Sequence, residues 1–320
     1  MDIRYLEHHR IDMAAWDNCI SKAVNGNVYA WSWYLDMMSS DWDALVGGDY
    51  ETVFPLTFRV KAGIHYLYQP FFTQQLGIYS VNQLTPEIIG IFLDSIPGKF
   101  KFAEINLNAY NKPDPLKFKV SKNLNHELDL IEPYLEIKNK YKENIKRNIS
   151  KAVKKGISVS TNVKPEDIIS LFRDNRGKDF DHLNEFDYRR LQRLIYQCIS
   201  QSKAICYGAY SSGNSLCAGA ILLFSHRKAI FLFSATNDEA RGNGAMSFLI
   251  DRFIQDSSGN HITLDFEGSN DQNLARFYRG FGSTVLSYPS VMINRLPWPL
   301  NLLPEIRKKL KKLIRSVIKK

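Results

Sequence analysis

Two carboxylates, Asp265 and Glu267, stand two residues apart in the stretch HITLDFEGS. On a β-strand, residues i and i+2 share a face, so both acids are expected to point one way and Leu264 and Phe266 the other. A partly buried carboxylate can serve as a general base that takes a proton from a reacting group. Glu267 lies nearer the strand's end and is the first candidate, with Asp265 beside it. A structural reading stands next to this one: the acids would accept hydrogen bonds from the donor-rich GSNDQN that follows.

A second cluster lies upstream, in ATNDEARGNGAM, Ala235 to Met246. The apolar run AIFLFSA precedes it and the amphipathic AMSFLIDRFI follows, so the spacing predicts strand, glycine turn, helix. The first N–H groups of such a helix are unpaired, and its dipole favours negative charge. Glycine lets the backbone come close to a ligand. The expectation is a pyrophosphate cradle built from Ala235, Arg241, Gly242, Asn243, Gly244 and Ala245. It is neither a Walker A loop nor GxGxxG. The plain alternative is a surface turn that caps a helix.

The elements around these residues repeat. The first half reads helix (Met13 to Met38), strands DALVGG, ETVFPLTFRV and IHYLYQPFF, a loop, helix TPEIIGIFLDSI and strand KFAEINLN. The second reads helix (Asp167 to Ser202), strands AICYGAYSSG, SLCAGAILLF and KAIFLFSA, the glycine turn, helix and strand HITLDFEGS, then helix NLARFYRGFG and strand TVLSYPSVMIN. A repeated order with little repeated sequence predicts two copies of one α/β (α+β) fold, each a mixed, mostly antiparallel sheet flanked by helices. The expected division is 1–137, a basic connecting helix 138–156, a second domain 157–296 and a basic tail helix 297–320. In the first half, YQPFFTQQLGIYS takes the place of the glycine turn and has only Gly77, so that copy is expected to lack a cofactor site. Gln69, Gln74 and Gln75 there are candidates for an acceptor groove or ordinary loop polarity.

The turn EARGNG, Glu239 to Gly244, resembles the Q/R-x-x-G-x-G/A loop of the GNAT acyltransferase superfamily, with Glu239 where Gln or Arg is usual. Tyr278 with Gly282 four residues on matches a second GNAT feature, although Ser283 replaces the usual Phe. The resemblance implies an acyl-coenzyme A (acetyl-coenzyme A) donor whose pyrophosphate sits on the loop. It also implies that Tyr278 protonates the leaving thiolate; a satisfied core tyrosine is the alternative. LDFEGS with LARFYRGFGS, and the basic KRNISKAVKKGISVS, are similar to the Fem family. These are tandem-GNAT enzymes that add amino acids from aminoacyl-tRNA to peptidoglycan precursors. Tyr278 departs from them, since a basic residue is usual there.

Charge is concentrated. The net charge is +9, and Lys138–Lys155 and Glu305–Lys320 each carry +7, which leaves −5 on the rest. That pattern implies local anionic partners rather than a uniformly basic surface. The tail EIRKKLKKLIRSVIKK has the pattern of a helix on an anionic membrane or a tRNA backbone, or of one docked on the protein. The four cysteines form no CxxC pair, which fits a reducing compartment. With no signal-peptide pattern at the N-terminus, a cytoplasmic protein, peripheral on the membrane's inner face, is expected. No HExxH or other metal spacing and no GxSxG occur, so no metal is expected. The leading expectation is an acyl-coenzyme A-dependent N-acyltransferase with a small-molecule or lipid-linked amine acceptor between the domains. The alternatives are a Fem-type aminoacyltransferase and a non-enzymatic binder of anionic lipid or nucleic acid.

Overall fold

The structure, a computed structural model, describes residues 2–179, 183–268 and 270–302. Of the tail helix expected over 297–320, residues 303–320 lie outside the described residues, and Leu300–Leu302 forms a single 3-10 turn. Along the chain the first half holds β1 (Ile3–Leu6), α1 (Met13–Lys22), α2 (Ser32–Met38), β2 (Asp41–Gly47), β3 (Thr52–Lys61), β4 (Ile64–Leu67), β5 (Tyr79–Ser80), α3 (Pro86–Asp94), β6 (Phe100–Asn106) and β7 (Lys119–Asp129). Two helices follow, α4 (Tyr134–Asn139) and α5 (Glu143–Lys154). The second half holds β8 (Ser158–Ser160), α6 (Pro165–Asp174), α7 (Glu185–Ser200), β9 (Ala204–Tyr210), β10 (Leu216–Ser225), β11 (Lys228–Thr236), α8 (Asp238–Asn243), α9 (Ala245–Ser257), β12 (Thr263–Asp265), α10 (Gln272–Arg279) and β13 (Thr284–Asn294).

One mixed sheet runs through both halves in the order β1-β2-β3-β4-β6-β13-β7-β12-β11-β10-β9-β8, with β5 beside β3. The order is palindromic. Each half has one parallel pair, β4 with β6 and β11 with β12. Between them the halves exchange strands: β13 pairs with β6 of the first half, and β7 pairs with β12 of the second. β13 and β7 pair with each other over nine residues, Thr284↔Glu127 to Met292↔Lys119. The α/β fold with helices on a mixed sheet is as the sequence implies. The exchange is not, because pairing between strands so far apart in sequence leaves no local trace.

Local chemistry sets the boundaries. Asp12 caps α1 by accepting from the N–H groups of Ala14 and Ala15. The single helix expected over Met13–Met38 is two, because Asn25 in the VNGN stretch turns inward to bind the Ile78 carbonyl and the Ser80 N–H. The helical stretch expected over Asp167–Ser202 is also two helices, α6 and α7, and Asn184 with Asp187 forms a capping box that starts α7. The connecting helix expected over 138–156 is two, α4 and α5; in α5 Ile145, Ile149 and Ala152 are buried, Val153 is exposed, and Gly156 follows at φ +68°.

The core has two sides. One joins Trp16, Trp42 and Phe54 of the first half to Ile168, Leu194 and Phe233 of the second, so the seam is itself packed. The other gathers Ile145, Leu249, Phe253, Phe266 and Phe281 under α5, α9 and α10. The four cysteines are free and buried. Among the described residues no helix is long and apolar enough to cross a membrane.

Candidate functional site

β11 and β12 stay paired only over Lys228↔Thr263, Ala229↔Leu264 and Ile230↔Asp265, while β11 continues to Thr236. The two parallel strands therefore part just after Asp265. On its other side Asp265 lies directly opposite Glu127 of β7. Lys228, two residues before Ile230, shares its face. Its Nζ donates to Glu127 Oε1 at 2.5 Å and stands 3.6 Å from Asp265 Oδ2. Asp265 Oδ1 also accepts from Asn125 Nδ2 and from the Glu267 N–H, both at 2.9 Å.

One ammonium thus faces two carboxylates, which leaves a surplus negative charge. Burial pushes the Glu127 carboxyl above its usual range; Lys228 opposes this and Asp265 adds to it. Burial works against the charged form of Lys228, but Asp265 and Glu127 outweigh it and hold the ammonium protonated above its ordinary range. All three groups line a cavity of about 440 Å³. The first half supplies its other wall, including Asn25, Asn27, Gln75 and Tyr110. Gln75 is thus at the cavity, while Gln69 braces its own loop through Thr73 and Asn106.

The two acids of the HITLDFEGS stretch part company. The strand ends at Asp265, and Glu267 is left-handed at φ +54°, so strand alternation does not reach it. That corrects the expectation of a shared face: Asp265 lines the cavity and Glu267 does not. Glu267 Oε1 is enclosed and has no hydrogen-bond partner among the described residues. Burial holds its carboxyl well above the usual range. Tyr278 is buried, with its ring stacked on Phe266 at 4.6 Å, and it is absent from the cavity wall. Burial and then Glu267 raise its hydroxyl's pKa. Tyr288 feels both acids: burial, Glu267 and Asp265 push it up to about 12.

A carboxyl whose folded pKa is raised favours the native state below its unfolded pKa, and that contribution is lost as pH rises through the folded value. Glu267→Gln is therefore expected to raise the urea midpoint at pH 8 and to leave it near wild type at pH 4. Each tenfold change in the carboxyl's proton affinity on folding is worth about 1.4 kcal/mol. Equal effects at both pH values would show that the carboxyl is not held neutral by burial.

In the glycine turn, Gly244 packs against a helix and Gly242 does not. In place of an open turn, Asp238–Asn243 forms the short helix α8, capped by Asn237. Gly244, at φ +80°, ends it and begins α9. The Gly244 N–H bonds the Ala240 carbonyl, and the Ala245 N–H bonds Asn243 Oδ1. A Cβ at Gly244 would lie 2.2 Å from the Asn148 carbonyl oxygen of α5, whereas one at Gly242 would meet open space. Ala235, at the end of β11, is buried. Gly244 thus admits α5, and two of the N–H groups expected to face a pyrophosphate already have partners. Arg241 belongs to α8.

No family model and no curated protein matches the sequence. Solved structures do. FemX superposes with a TM-score of 0.64 at 14% identity, over 95% of this chain and 99% of FemX. The chain has a FemX-like fold. The C-terminal domain of a putative lysylphosphatidylglycerol synthetase from Agrobacterium fabrum gives 0.54 at 10% identity, over 91% of this chain and 94% of that one. L-PGS from Bacillus licheniformis gives 0.52 at 12% identity, over 93% and 96%. At such identities the likeness concerns the fold alone. Within the FemX-like frame, Glu127, Lys228 and Asn125 are site residues that the sequence alone does not single out. Lys228 opens a strand at a hairpin turn, where a lysine is unremarkable, and β7 has too few apolar residues to stand out. Among the described residues no cluster of His, Cys, Asp and Glu is placed to hold a metal.

Proposed function

We propose that the protein is an acyltransferase that acylates an amine bound in the cavity between its halves, with an aminoacyl ester of tRNA as donor. The observation that carries the reaction class is the Lys228–Glu127–Asp265 group in a cavity where two parallel strands part. The acceptor nitrogen attacks the ester carbonyl, an N–C bond forms and the C–O bond breaks. Glu127 takes one proton from the bound ammonium, and the second proton that the nitrogen loses goes to the leaving ribose oxygen. The surplus negative charge favours binding of the amine as its ammonium, and burial keeps Glu127 basic enough to deprotonate it.

Helix α5 bears on the donor. Its packing against Gly244 and the engaged N–H groups of Gly244 and Ala245 disfavour a coenzyme A pyrophosphate at that turn. The same helix exposes Arg147, Lys151 and Lys154, with Lys155 just past its end, a basic face suited to a phosphate backbone. A lysylphosphatidylglycerol synthetase, by its name, joins lysine to a lipid, and transfer of an aminoacyl group to a small or lipid-linked acceptor fits the shared fold.

Filter binding with aminoacyl-tRNA at two salt concentrations tests this, beside a thermal-shift titration with acetyl-coenzyme A. The expected result is tRNA binding that weakens steeply with salt and with Lys151→Glu/Lys154→Glu, and no shift from the thioester. A ligand at a hundred times its Kd adds about 2.7 kcal/mol to the native state, so a thioester site would be visible. A clear acetyl-coenzyme A shift without tRNA binding would replace the donor.

A further inference from the structure

We propose that the acceptor amine also carries an anionic group, phosphate or carboxylate, which Arg227 holds at the mouth of the cavity. This rests on the cavity being the acceptor site. Lys228 is engaged by Glu127 and Asp265, so it has little left for a ligand's anion. Arg227, the next residue back, lines the same cavity, is exposed, and has no ion pair or side-chain hydrogen bond among the described residues.

Its backbone explains why it matters. Ser225 pairs with Lys228, so His226 and Arg227 are the two central residues of the β10–β11 hairpin. Both are left-handed, at φ +49° and +57°. Such turns favour Asn-Gly, and other residues there are strained. His226 has a visible structural reason. Its Nε2 donates to the Ile20 carbonyl at 2.9 Å, and its Nδ1 meets Ser225 Oγ at 2.7 Å. It fits only because residue 26 is glycine, where a Cβ would lie 2.3 Å from Nε2. That contact pins the turn onto the first half. Arg227 has no structural partner among the described residues, yet the pinned turn fixes its backbone at the wall of the cavity. A cation at the mouth and a surplus carboxylate within match a ligand with an anion at one end and an ammonium at the other. Tyr110, 59% exposed in the same wall, offers a flat face to a ring between them.

The test is calorimetric titration of the full chain with paired probes. Ethanolamine is compared with 2-aminoethyl phosphate, glucosamine with glucosamine 6-phosphate, and hexylamine with 6-aminohexanoate. In wild type the anionic member of at least one pair is expected to bind ~10-fold tighter or more, as a charge-assisted hydrogen bond allows. Arg227→Asn keeps a residue that accepts the left-handed turn, and it should erase the advantage while leaving the neutral amines unchanged. The pair that shows the preference tells phosphate from carboxylate. Equal binding of both members in wild type, or an advantage that survives Arg227→Asn, overturns the inference. If neutral amines still bind and lose affinity in Glu127→Gln, the acceptor site itself stands. If no amine binds at all, the acceptor site and this inference fall together.

Discussion

Lys228→Met is expected to destabilise the protein by about 3 kcal/mol at pH 8, the lower end of what removing one partner of a buried ion pair costs. The lower end applies because the Lys228 side chain keeps 30% of its surface in solvent, against 15% for Glu127 and 8% for Asp265. The variant leaves two carboxylates opposite each other on paired strands with no cation between them. Like charges that close cannot both stay ionised without cost, and protonating either one relieves it. The loss should therefore shrink as pH falls toward 5. Wild type has the opposite window: Lys228, its pKa raised, contributes stability below its unfolded pKa of about 10.4 and loses it above the folded value. Urea denaturation at pH 5 and pH 8 measures the difference. The triple variant Lys228→Met/Glu127→Gln/Asp265→Asn should recover most of the stability lost at pH 8. A loss below about 1 kcal/mol, or one independent of pH, would mean that the three charges are not coupled as the distances imply.

The same three residues show what is legible in the sequence. Asp265 stands out because it sits in an apolar strand beside a second acid, and it does reach the cavity. Glu267 stands out for the same reason, but its left-handed backbone breaks the alternation on which that inference rests. Nothing in FEGS announces a positive φ at the glutamate rather than at Gly268 alone. Glu127 is hidden because KVSKNLNHELD carries mostly polar residues. It becomes a central strand only through β13 and β12, both more than 130 residues away. The repeat of helices and strands is legible because periodicity is local. The exchange of β7 and β13 is not, because register between distant strands is decided by the tertiary fit. The glycines of the turn suggest ligand approach, and Gly244 serves the approach of a helix; both need the same absent Cβ.

Glu127→Gln is expected to lower kcat by about 10²–10⁴-fold, the range for removing a general base, with KM for the donor little changed. Asp265 is the weaker candidate for that role, because its side chain is the more enclosed, with 8% of its surface in solvent against 15% for Glu127. Glu127 accepts from Lys228 and, at 3.4 Å, from Asn125, both through Oε1. Burial and Asp265 raise its pKa against Lys228, so its proton affinity lies nearer that of an amine acceptor than an exposed glutamate's would. In wild type the rate should fall on the acid side as Glu127 becomes protonated, and in Glu127→Gln that limb should disappear along with most of the rate. Asp265→Asn should keep the limb but move it, because it removes one neighbour that raises Glu127 and leaves Lys228 opposing. Single-turnover transfer from preloaded aminoacyl-tRNA across a range of about pH 5–9 separates the two variants. If Asp265→Asn abolishes the limb and Glu127→Gln keeps it, the base is Asp265 and Glu127 only balances Lys228. If Glu267→Gln alone abolishes it, the chemistry lies on the Tyr278 side of the sheet and the cavity is not where the amine is deprotonated.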